Sequence, residues 1–101
     1  MEEKLPIKYL PSAVQDLTDI VDYISIDNPT AAIQVINQID ESISILAHFP
    51  YSGVTPKVAR LQLLNYRVLV VQNYLVFYVV ETDFIEVRRI LHAKRKYNFL
   101  F

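Results

Sequence analysis

The residues most able to do chemistry lie near the C-terminal end of the sequence. The run Arg88-Arg89-Ile90-Leu91-His92-Ala93-Lys94-Arg95-Lys96-Tyr97 holds five cations, a histidine and a tyrosine. Lysine and arginine contact phosphates, and a tyrosine ring can stack on an unpaired base. His92 is of the type that moves protons near neutral pH. Arg67, expected on a neighbouring strand, can join the group. Metal-free cleavage of RNA needs such a set: a base for the ribose 2′-hydroxyl, cations for the phosphorane and an acid for the leaving oxygen. Each residue also has a structural alternative. A histidine at a strand end often only holds a hydrogen bond, Arg89 in an apolar strand can pair with an acid on a helix, and Tyr97 can be a rim residue of the core.

Other chemistries find little support. The sequence has one glycine and no glycine-rich phosphate loop. It has no cysteine, and His48 and His92 lack metal-ligand spacing. No serine sits in a nucleophile-elbow context. No metal and no cofactor are therefore expected. The net charge of −1 hides an asymmetry. Residues 1–50 hold eight acids against Lys4 and Lys8, whereas residues 51–101 hold three acids against eight cations. A basic half of this kind suggests an acidic or polyanionic partner. The alternative is two layers of one domain that attract each other.

The elements that must position these residues follow from periodicity. Arg67–Val71, Tyr74–Glu81 and Phe84–His92 are rich in β-branched and aromatic residues. The breaks between them, Gln72-Asn73 and Thr82-Asp83, suit hairpin turns, so the three strands read as an antiparallel meander. Upstream, Leu5, Ile7 and Tyr9 alternate as in a short edge strand. Pro11 ends that strand, and Ser12 with Gln15 reads as a capping box opening a helix. Ala13, Leu17, Ile20, Val21 and Ile24 form the apolar face of that helix, and Asp16, Asp19 and Asp22 are expected in solvent. Asn28 and Pro29 cap and start a second helix, with Ala32, Ile36, Ile39, Ile43 and Leu46 on its apolar stripe.

Residues 57–65 fit either a helical turn through Val58, Leu61 and Leu64 or a backward extension of the first meander strand; the extension is preferred. The expected order is β-α-α-β-β-β: an α+β domain over 1–101, an antiparallel sheet with a helical hairpin on one face. The first ten residues lack the apolar core of a secretory signal, and no apolar run reaches membrane-spanning length, so a cytoplasmic location is expected. The strands carry apolar residues on both sides, yet helices are available for only one. The front of the sheet is therefore expected to stand open, awaiting a partner.

Several local patterns together resemble the RelE/ParE superfamily of type II toxin–antitoxin toxins, and within it the ParE branch. They are Ala13-x-x-Asp16-Leu17-x-x-Ile20-x-x-Tyr23-Ile24, Asn28-Pro29 with Ala32, and Leu46-x-x-x-Pro50-x-Ser52-Gly53. Tyr66-Arg67, Asn73-Tyr74-x-x-x-Tyr78 and Ile90-Leu91-His92-Ala93-Lys94-Arg95 complete the series. The resemblance implies a growth-inhibiting, plasmid-stabilising toxin silenced by a cognate antitoxin, whose extended tail would suit an open front and a basic end. RelE-like members are mRNA interferases that cut message on the ribosome with lysines, arginines and a tyrosine or histidine. ParE-like members lack that set and poison DNA gyrase. Here only Arg67 and Arg95 match the RelE cations, while Leu69 and Leu75 stand where two others belong. The gyrase reading is therefore preferred. A ribonuclease would use Arg67, His92, Arg95 and Tyr97. Target or antitoxin binding would use Arg67, Arg88, Arg89, Lys94, Arg95 and Lys96. A non-toxic basic binding module is the third reading.

Overall fold

The computed structural model describes residues 4–95; Lys96, Tyr97 and the apolar tail 98–101 lie outside the described residues. Its elements are β1 (Ile7–Tyr9), α1 (Pro11–Ser25), α2 (Pro29–Ile45), α3 (Ala59–Leu63), β2 (Tyr66–Val71), β3 (Tyr74–Val80) and β4 (Ile85–His92). The sheet order is β1-β4-β3-β2. The meander is antiparallel as expected, with Arg67 opposite Tyr78 and Tyr74 opposite His92. The expectation of a wholly antiparallel sheet is corrected at β1, which pairs in parallel with β4 from Ile7–Ile85 to Tyr9–Val87. Between them the chain passes through the helices and two meander strands, a crossover long enough for parallel pairing.

Local chemistry explains most boundaries. The Asn28 side chain accepts the Ala31 N–H at 3.0 Å and Pro29 occupies the first helical position. The capping box expected at Ser12 is absent. The helix starts one residue earlier, with Pro11 in its first turn and no side-chain cap, and the Ser12 hydroxyl donates to the Arg88 carbonyl instead. The Gln72-Asn73 turn joins β2 to β3 with Gln72 in the left-handed region at φ 53°. The next hairpin closes with Glu81 N–H on Phe84 O at 2.8 Å.

The strand extension expected over residues 57–65 is overturned. Val58 and Leu61 lie one helical turn apart, and α3 forms to put Leu61 into the core, fully buried. Asn65, at φ 63°, turns the chain sharply into β2. This helix also corrects the open front. On the hairpin side, Ala13, Ile39, Ile43 and Leu46 pack against Val76, Tyr78, Ile85, Val87 and Ile90. On the front, Leu61 joins Tyr66, Val68, Phe77, Val79 and Leu91 in a second buried cluster, with Val58 and Leu75 packed against it. Burying a side chain such as Phe77 contributes about 1.5–3 kcal/mol, so the front is a core in its own right.

The loop after α2 is anchored by one phenol. The buried Tyr78 hydroxyl donates to Pro50 O at 2.8 Å and accepts the Gly53 N–H at 3.0 Å. A Cβ on Gly53 would stand 2.5 Å from that hydroxyl oxygen and 2.8 Å from Val68 O, so only glycine fits without a shift. Tyr78→Phe should cost about 1–3 kcal/mol, the penalty for leaving buried partners unmade. Urea denaturation of Gly53→Ala, Tyr78→Phe and the double variant checks the coupling: the alanine should cost less once the hydroxyl is gone.

Tyr9 on β1 has its pKa raised from 10.0 to about 12, first by burial and then by the nearby Asp40 charge. The folded protein keeps this phenol protonated where the unfolded chain ionises it. Its contribution is whole below pH 10 and lost as pH climbs towards about 12. Denaturation at stepped alkaline pH should show a shallower loss of stability in Tyr9→Phe than in the parent.

Candidate functional site

Asp16 of α1 is the centre of the arrangement. It was expected in solvent and is buried instead. Its carboxylate accepts from Arg89 Nε at 2.8 Å, from Arg89 Nη2 at 2.9 Å and from the Ile90 N–H at 2.9 Å. The bonds to Asp16 raise the Arg89 pKa above its ordinary value despite partial burial. The helical alternative for Arg89 is therefore the one adopted. A helical wheel carries the signal: Asp16 falls between Ala13, Leu17 and Ile20, on the edge of the apolar stripe, whereas Asp19 and Asp22 fall on the far side.

The strand it grips is irregular. Phe77 pairs with Arg89 while Tyr78 pairs with Val87, so Arg88 is the inserted residue of a β-bulge. Arg88 Nε lies 2.8 Å from Glu86, its Nη1 donates to the Tyr66 hydroxyl at 3.3 Å, and Glu81 stands 3.9 Å away. Burial works against its charge, but the bonds to Tyr66 and Glu86 outweigh that and raise its pKa. Arg88 and Arg89 are thus matched by acids within the chain.

Past the bulge, a groove of about 510 Å³ opens between α1 and the end of the meander. Ile20 and Tyr23 form one wall, Tyr74 and His92 the other, and Lys94 and Arg95 the rim. The His92 and Tyr74 rings meet edge to face at 5.4 Å. His92 Nδ1 accepts the Lys94 N–H at 3.2 Å, which leaves Nε2 as the nitrogen free to hold or pass a proton. The Tyr74 pKa is raised by burial and then by Tyr23. Lys94 and Arg95 are exposed and form no ion pair among the described residues.

Arg67 is elsewhere. Its Nη2 donates to Tyr51 O at 3.0 Å and to Gly53 O, and its guanidinium lies over the Tyr51 ring at 5.3 Å. It pairs with Tyr78, four residues along β3 from the Tyr74 that faces His92, and two strands away from it. That spacing separates the two backbones by about 16 Å. The structure therefore brings together His92, Lys94 and Arg95, leaves Arg67 at the opposite end of the sheet, and commits Arg88 and Arg89 to internal partners.

These side chains are set on a four-stranded sheet backed by a helical hairpin, with Lys94 and Arg95 exposed where the last strand ends. The model of the ParE toxin of the type II toxin–antitoxin system parDE matches residues 7–97, and the chain belongs to that family. Among solved structures, the chain is similar to one of a chromosomal ParDE system from P. aeruginosa. The TM-score is 0.75 at 21% identity, over 90% of this chain and 98% of the other. It is also similar to a structure of a RelB-RelE antitoxin–toxin complex from Methanococcus jannaschii, with TM-score 0.55 and 22% identity, over 93% and 99% of the two chains. No curated protein gives a significant sequence match.

Removing the Asp16 carboxylate strands both Arg89 and the Ile90 N–H. Asp16→Ala should cost about 3 kcal/mol, the low end for a broken buried pair, because Arg89 keeps 20% of its side chain in water. Equilibrium unfolding measures it. Asp19→Ala, on the exposed face, should change stability by less than about 0.5 kcal/mol.

Proposed function

We propose that this toxin acts by binding DNA gyrase rather than by cutting RNA, and that a cognate antitoxin silences it. The observation that carries this reading is the division of the cations. A metal-free ribonuclease needs several cations around one phosphate. Here Arg67 holds a loop at the far end of the sheet, Arg88 and Arg89 answer internal acids, and Leu69 and Leu75 fill two positions where RelE-like toxins carry cations. His92, Lys94 and Arg95 suit a recognition surface better than a complete catalytic set. The exposed, acid-free pair Lys94 and Arg95 is the surface offered to gyrase or to an acidic antitoxin segment. Among the described residues no helix is long and apolar enough to cross a membrane, and a gyrase target places the action in the cytoplasm. Coupled to an antitoxin gene on a plasmid, such a toxin would stabilise that plasmid.

Purified toxin should inhibit supercoiling by gyrase, and the antitoxin should relieve the inhibition. Lys94→Glu with Arg95→Glu should weaken inhibition at least about tenfold, since each reversal trades an attraction for a repulsion. Its thermal midpoint should stay within a few degrees, because exposed charges add little to stability. Unchanged supercoiling at large toxin excess, together with message cuts on the ribosome that need Arg95, would replace this reading with the mRNA interferase.

A further inference from the structure

A second cavity, of about 540 Å³, opens at the other end of the sheet, beside the β3–β4 turn. Arg67 and Arg88 line it together with Tyr51, Glu81 and Thr82. Arg67 is incompletely used there. Among the described residues, its two hydrogen bonds both leave from Nη2, its Nε is buried with no partner, and no bond uses Nη1. No acid pairs with it among the described residues. Arg88, by contrast, is matched by Glu86 at 2.8 Å, which makes the half-exposed Glu81, 3.9 Å from Arg88, a loosely held anion at the edge of the cavity.

We propose that this cavity is a receptor for a single carboxylate, carried either by a small molecule or by an acidic side chain of a partner polypeptide. A guanidinium in a partly desolvated wall gains most from an anion that it can bond directly. Nη1 offers an N–H for one oxygen of a carboxylate, while Nη2 stays on its two carbonyls. The Tyr51 ring and Val79 supply an apolar flank for the carbon stem that bears it. A dianionic phosphate would be repelled more strongly by Glu81 in the cavity lining, so the charge pattern favours a monoanion. Glu81 is then the competitor that the ligand displaces from this end of the cavity. The proposal concerns a site apart from the His92 groove and does not rest on the gyrase reading.

The test is NMR of the whole chain at constant ionic strength, following backbone amides and arginine Nε–H signals. Acetate is the probe in one arm. A blocked glutamate tripeptide is the probe in the other, with its glutamine counterpart as control. Saturable shifts at Arg67 Nε–H, Asn65 and Thr82 are expected. Glu81→Gln should tighten binding roughly fivefold by removing the competitor, and Thr82→Asp should weaken it roughly tenfold by adding one. Saturation by acetate assigns the site to small carboxylates; saturation by the glutamate peptide alone assigns it to a protein partner. Shifts that chloride reproduces, that the glutamine peptide matches, that Thr82→Asp leaves unchanged or that centre on Lys94 and Arg95 would overturn the proposal.

Discussion

The constraint on which this structure depends is an unfilled place at the edge of β4. β1 pairs with β4 only as far as Val87, after which Leu10 N–H takes the Val87 carbonyl and the chain turns into α1. Beyond that point β4 would present bare backbone groups, among them the buried Ile90 N–H, which a fold does not tolerate. The first turns of α1 take over as its neighbour. Ser12 answers the Arg88 carbonyl and Asp16 answers the Ile90 N–H. A helix thus replaces a strand as the partner of a sheet edge, and the forked Arg89–Asp16 pair locks the exchange. The position of α1 over the sheet, and of Ile20 and Tyr23 over the groove, follows from these bonds.

The same constraint redistributes the charge. From Tyr9 to Pro56 the sequence has no lysine or arginine, so an acid of the hairpin that needs a cation must take it from elsewhere. Asp16 takes Arg89. Glu86 and Glu81, on the meander itself, hold Arg88, and two loop carbonyls hold Arg67. A run that reads in sequence as one cationic patch is divided among structural duties, and the described cations left for recognition at that end are Lys94 and Arg95. Two exposed charges at a groove edge give direction to an approaching partner more than they give affinity.

What was legible in the sequence was what short-range chemistry decides. The Asn28 cap, the two-residue break at Gln72-Asn73 and the β-branched runs each specify their own backbone. The illegible parts are those in which a distant element decides. Ser12 has the spacing of a cap, but the carbonyl of Arg88 competes for its hydroxyl and wins. Residues 57–65 fit two periods equally well, and a vacancy over Phe77 and Val68, which α3 fills with Leu61, settled the matter. Asp16 reads with Asp19 and Asp22 as part of the polar side of the helix, although its angle sets it at the edge of the apolar stripe. Its place on the helical wheel was available, but its partner lies 73 residues away, beyond any local pattern.

The filled front changes what the toxin reading can stand on. An open apolar sheet would by itself have required a partner, and that requirement is gone once Leu61 and Val58 close over the strands. Membership of the family now carries the toxin assignment, and partner recognition must be sought at the rims. The apolar exposure that remains fits this. Tyr23 keeps 79% of its surface in solvent and Ile26, at the end of α1, 80%, while Val70 keeps 60% on the edge strand β2. Single exposed residues of this kind need no explanation. Tyr23 is different, because it lines a groove with Tyr74 and His92, beside Lys94 and Arg95, which form no ion pair among the described residues. A polypeptide with an apolar anchor and a flanking acid would use every part of that groove without disturbing the core. The argument for a partner thereby moves from the area of a surface to the chemistry of a short one.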